Sequence, residues 1–194
     1  MFSALTRIEG LILLPALLVE YLHQKKWRLR NIETNILWIS LAFAGFLIYL
    51  VINNQVTGNP FTFFAIENVH WHQGINPLLG FQRALQGTFT GEFPINVQAA
   101  AQLIFAGFGL LAIVAGFKFH LRPSYNVYMI FTWLLFVSTG LWNSIPRYVL
   151  TMFPMFILMG FSLRSRKTNY IVTLLSVSVM CLFTIIFTLG KFVF

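Results

Sequence analysis

Residues Val97–Phe117 read VQAAAQLIFAGFGLLAIVAGF, a stretch of 21 residues without a single Asp, Glu, Lys or Arg. At ~1.5 Å of rise per helical residue such a run covers the ~30 Å hydrocarbon layer of a bilayer. Four further charge-free stretches, 35–52, 125–142, 148–163 and 170–189, have the same character. A sixth, 8–22, is weaker: it holds Glu9, Pro15 and Glu20, and only Gly10–Val19 is free of charge. It does not read as a secretory signal, because Arg7 and Glu9 precede it and Lys25, Lys26, Arg28 and Arg30 follow it. The expected fold is therefore all-α and integral to the membrane: a polytopic bundle of about six transmembrane helices (8–22, 35–52, 97–117, 125–142, 148–163, 170–189) in a single domain over 1–194. Pro15 and Pro154 are expected to kink the first and fifth of these.

The composition agrees. Of 194 residues, 58% are hydrophobic and 9% charged, and the mean hydropathy is +0.77, which excludes a soluble domain. Disorder is excluded by 22 Phe, 5 Trp and 6 Tyr. The net charge of +8 reads as cytoplasmic loop charge rather than as nucleic-acid binding. Nine of the 13 basic residues fall in the connections near 23–34, 118–124 and 164–169, against Arg7, Arg83, Arg147 and Lys191 on the other face. Six spans then place both ends of the chain outside the cytoplasm. A start at Met1 on the outer side is expected of the later part of a longer membrane protein.

The acids are Glu9, Glu20, Glu33, Glu67 and Glu92, with no aspartate, and the single Cys181 excludes an internal disulfide. The connection 53–96 on the outer face is long and rich in aromatics, as expected of a segment that binds or gates. Within it, 75–93 is expected to include a short interfacial helix resting on Leu78, Leu79, Phe81 and Leu85.

Arg147 is the most informative charge. In Ser144, Ile145, Pro146, Arg147, Tyr148 it occupies a short outer turn between two apolar stretches, where a planar guanidinium either holds a phosphate or anchors the chain at head-group level. Glu67 is the candidate catalytic acid on that side, near His70, Trp71 and His72; together they would take a proton from a hydroxyl and stack on a sugar face, and the alternative is a solvated loop glutamate. The His70 and His72 pair would chelate a metal only on an extended strand and with a third ligand, so no metal site is assigned. Arg7 and Glu9 bracket the outer end of the first helix and point either into the bundle or to its surface. Glu20, near four basic residues, is expected to be paired at the surface. Met152, Met155 and Met159 are expected to pack between helices or face lipid.

Thr6, Arg7 and Gly10 ahead of Pro15, the run Thr57, Gly58, Asn59, Pro60, Phe61 followed by Trp71 and Pro77, and above all Ser144–Tyr148 through Phe153 and Pro154 together resemble the later part of the PIG-V type of GPI mannosyltransferase, a group with bacterial members. The resemblance spans nearly the whole chain and departs from relatives at Glu9 and Asn59. It implies a glycosyltransferase of the GT-C class that uses a polyprenyl-phosphate sugar, such as polyprenyl-phosphate mannose, and no other cofactor. The acceptor would be a glycan or glycolipid at the extracytoplasmic face, in a bacterial plasma membrane or the endoplasmic reticulum. Arg147 and Tyr148, with Arg7, His70 and Trp71, would bind substrate. The family's acidic catalytic loop has no counterpart here, so that acid is expected from an amino-terminal half or a partner subunit. The alternatives are a non-catalytic module that binds a lipid phosphate or a partner and, less favoured, a transporter, since the central spans hold no charge.

Overall fold

The computed structural model describes Ser3 and residues 8–71, 76–140, 142, 144–163 and 165–190, with only the backbone described at 8, 29, 67–71 and 162. Every regular element in it is helical. A 3-10 segment, Ile8–Ile12, runs into α1 (Leu13–Gln24), and a second, Thr34–Ile39, runs into α2 (Ser40–Thr57). There follow α3 (Thr62–Trp71), α4 (Pro77–Thr90), α5 (Ile95–Lys118), α6 (Pro123–Val137), α7 (Ile145–Val149), α8 (Pro154–Ser162) and α9 (Arg166–Thr188).

The breaks follow local chemistry. Gly58 ends α2 with φ of 76°, a left-handed conformation that needs no Cβ. The Asn76 side chain caps α4 by accepting from the Leu79 amide at 3.1 Å, and Pro77 and Pro123 open α4 and α6, where their missing N–H is no loss. Ser165 caps α9 by accepting from the Thr168 amide at 3.1 Å.

Among the described residues, three helices are long and apolar enough to cross a membrane: Thr34–Thr57, Ile95–Lys118 and Arg166–Thr188. The protein is thus a helical membrane protein. Three of the six expected spans, 8–22, 125–142 and 148–163, are not among these, and 8–22 is a 3-10 segment followed by α1. The stretch 125–142 is helical only as far as Val137, and 148–163 is split, because Pro154 has no N–H for the preceding turn and starts a new helix instead. Pro15 stands just after the change from the 3-10 segment to α1. It lies in the first turn, where no intrahelical donor is required. The long connection 53–96 is itself largely helical, through α3 and α4.

The core is built around α5, whose apolar window is 39% buried, against 11% for Thr34–Thr57 and 6% for α9; the last two present their side chains outward, as helices in contact with lipid do. On α5 the buried positions include Ala106, Gly109, Ala112, Ile113 and Gly116, and small residues let backbones approach closely where water cannot drive association. Against this face pack Met129 of α6, fully buried, and Ile145, Val149, Met152 and Met155, each at most 2% exposed. Met152 and Met155 are therefore packing residues. Trp133 Nε1 donates to the Ala106 carbonyl at 2.8 Å and locks α6 to α5. The buried Gln102 accepts from the Ile145 amide at 2.8 Å, satisfying a donor at the buried start of α7 that has no partner within the helix.

Helices α1 and α6 lie against each other and are tied at one end by Glu20. Its carboxylate accepts from Ser124 Oγ at 2.6 Å, from Arg122 Nη1 at 3.2 Å and from Gln24 Nε2 at 3.0 Å. This is more than the surface pairing expected, since Ser124 is buried. Glu20→Ala should lower stability in detergent by about 1 kcal/mol, the worth of one net charge-assisted hydrogen bond after solvent screening. An unchanged thermal midpoint would show the tie to be energetically silent.

Candidate functional site

At the other end of the α1 and α6 pair the helices part and leave a cavity of about 180 Å³. Glu9 and Gly10, in the 3-10 segment, form one side with Leu13; Tyr128, Thr132 and Phe136 of α6 form the second; Tyr148 and Thr151 close the third. The α6 residues are four apart, so they stack along one face of the helix, the same face that carries Ser124 to Glu20.

The walls are rigid. Tyr148 lies flat on Phe136, with ring centroids 3.7 Å apart and planes inclined by 3°. Tyr128 donates its hydroxyl to the Thr151 carbonyl at 3.1 Å and leans on Phe153 at 5.4 Å. Thr132 is the exception: its Oγ1 is buried and has no hydrogen-bond partner. A threonine inside a helix ordinarily bonds back to the preceding turn. Here the hydroxyl is unpartnered, and it belongs to a residue that lines the cavity.

Arg147 stands beside this cavity. Pro146 and Ile145 are buried, whereas Arg147 is exposed, so the short α7 fixes the backbone and presents the guanidinium outward. Its Cζ lies 5.2 Å from the Tyr148 ring centroid, and Nη2 approaches the Tyr148 hydroxyl at 3.4 Å. The sequence-predicted pair is therefore brought together, with the tyrosine serving as cavity wall and as platform for the arginine.

Glu9, which the sequence placed either in the bundle or on its surface, lines the same cavity. Arg7 lies outside the described residues, as does His72. Glu67, His70 and Trp71 fall on α3, and their side chains lie outside the described ones. His70 is helical, which removes the extended strand that chelation by His70 and His72 requires. Among the described residues no three His, Cys or Glu side chains gather as metal ligands do. Sequence reasoning missed Tyr128, Thr132 and Thr151. Their signal was present as polar residues at fourfold spacing (Ser124, Tyr128, Thr132) inside an otherwise apolar helix.

In chemical terms the cavity has an aromatic wall, a carboxylate and a buried, unpartnered hydroxyl among its lining residues, and a planar cation is exposed beside it. No family model matches the chain, and no curated protein or solved structure matches it either.

Proposed function

We propose that the chain handles a lipid-linked sugar phosphate: a membrane glycosyltransferase of mannosyltransferase type, with the Arg147 and Tyr148 corner holding the donor phosphate and the cavity beside it receiving the sugar. The observation that carries this reading is the buried, unpartnered hydroxyl of Thr132, a residue that lines one cavity together with Glu9 and with Tyr148, which also supports Arg147. A hydroxylated ring would offer Thr132 the partner it lacks once the wall gives slightly, while a phosphate on its anomeric carbon would lie toward the guanidinium. In the transfer the acceptor oxygen bonds to that carbon, the bond from carbon to phosphate oxygen breaks, and the phosphate keeps the electron pair. A fixed cation stabilises the developing charge. The acceptor proton passes to a carboxylate, for which Glu67 on α3 is the candidate within this chain.

A second reading, a module that retains the lipid-linked sugar without transferring it, is favoured by the size of the cavity. At about 180 Å³ it is small, on the scale of one ligand group rather than of a donor and an acceptor together.

Incubation of the purified chain with labelled polyprenyl-phosphate mannose distinguishes the two. Release of label onto a glycan or glycolipid acceptor supports the transferase, and retention without release supports the module; neither result leaves the site without its ligand. Thr132→Val adds a sharper signature. Removing a buried, unpaired hydroxyl should raise the thermal midpoint of the ligand-free protein slightly, while weakening donor retention by about tenfold, the worth of one lost hydrogen bond to the sugar. A residue with only a structural role would not move the two measurements in opposite directions.

A further inference from the structure

The connection from α1 to α2 forms an open cup of about 500 Å³, lined by Gln24, Lys25, Lys26, Arg28, Arg30 and Glu33 among others. Four cations and one carboxylate face this space, and the carboxylate is already engaged. Glu33 pairs with Lys25 and accepts from Asn35 Nδ2 at 3.1 Å. That hydrogen bond with Glu33 holds the Lys25 ammonium above its usual range, so the ion pair persists. Lys26, Arg28 and Arg30 are exposed and have no acidic partner among the described ion pairs.

The cup is preformed. The Tyr21 hydroxyl accepts from the Glu33 amide at 2.9 Å and donates to the Glu33 carbonyl at 3.3 Å, closing the loop across twelve residues. Lys26 and Trp27 both adopt left-handed backbone, with φ of 55° and 59°, a conformation that side-chain-bearing residues rarely take in succession. The turn they make sets consecutive cations around one space.

The same connection and the 3-10 segment that follows it carry large apolar side chains held away from the protein: Trp27 is 56% exposed, Leu37 67% and Trp38 71%. Tryptophan collects where hydrocarbon meets head groups, and a cluster of cations at the end of a spanning helix attracts anionic lipid. A soluble anion would use the charges and leave the indoles without a role. We propose that this cup binds the phosphate head group of an anionic phospholipid from the adjoining leaflet, with Trp27 and Trp38 seated among its chains. This inference is independent of the Arg147 site.

The test uses the full chain, purified in a neutral detergent, with phosphatidylglycerol binding read by native mass spectrometry. Lys26→Gln, Arg28→Gln and Arg30→Gln together should weaken binding by at least about tenfold, given the worth of each juxtamembrane cation. The control replaces Lys118, Arg166 and Lys167 by Gln, the same loss of charge on the same basic face, and should change binding by less than about twofold. Equal losses in the two variants would reduce the effect to general surface charge and overturn the site, as would unchanged binding in the first. Displacement of the lipid by glycerol phosphate in solution would also overturn it, by showing a soluble occupant. Should the triple variant fail to fold, Arg28→Gln alone carries the test with an expected loss of about threefold.

Discussion

Arg147→Ala is expected to reduce turnover of a polyprenyl-phosphate sugar by about a hundredfold or more and to weaken its retention, with helix content unchanged. Removing one preorganised group that stabilises developing oxyanion charge costs on the order of 10²–10³ in rate. The side chain is exposed and its described contacts are to Tyr148 alone, so its loss should not disturb the core. Arg147→Lys should recover only part of the activity, because an ammonium is a point charge without the planar fork that meets two phosphate oxygens at once. Tyr148→Phe separates the platform from the hydroxyl: stacking on Phe136 is kept and the 3.4 Å contact is lost. Binding by Arg147→Ala equal to that of the parent chain would show the arginine to be an interfacial anchor.

What the sequence could and could not reveal follows from the range of the forces involved. A run of charge-free residues fixes a helix by itself, since an unsatisfied backbone in hydrocarbon is costly; thus 97–117 became α5 at Ile95–Lys118. The split of 148–163 is also local, because Pro154 forbids continuation, yet the apolar composition on both sides hides it. The exposure of Arg147 beside Tyr148 was legible because a charge between apolar segments has few places to go, although the expected turn is the short helix α7. Glu9 was not, since its surroundings depend on which helix lies opposite, and that partner, α6, is more than a hundred residues distant in the chain. The stripe Ser124, Tyr128, Thr132 shows the same limit in reverse. Its fourfold spacing declares a polar face, but only the pairing of α6 with α1 tells that one end meets Glu20 and the other a cavity.

That pairing depends on α6 being held close to α5, and here two glycines of one helix make opposite predictions. A Cβ on Gly109 would stand 2.7 Å from Trp133 Cδ1 and 3.3 Å from a Val149 methyl, whereas nothing lies within 4 Å of a Cβ on Gly107. Gly109→Val should therefore cost about 1–3 kcal/mol through overpacking, read as a lowered thermal midpoint in detergent, while Gly107→Val should leave the midpoint nearly unchanged. Both replacements have the same helix propensity, so propensity cancels in the comparison. The displacement at Gly109 should also reach the site. Trp133 must yield its 2.8 Å bond to the Ala106 carbonyl, and α6, which carries Trp133, also carries Tyr128, Thr132 and Phe136. Donor retention should then fall with stability in Gly109→Val and remain intact in Gly107→Val. Equal behaviour of the two variants would mean that α5 and α6 do not meet at this face, and with that contact the cavity beside Arg147 would lose its wall.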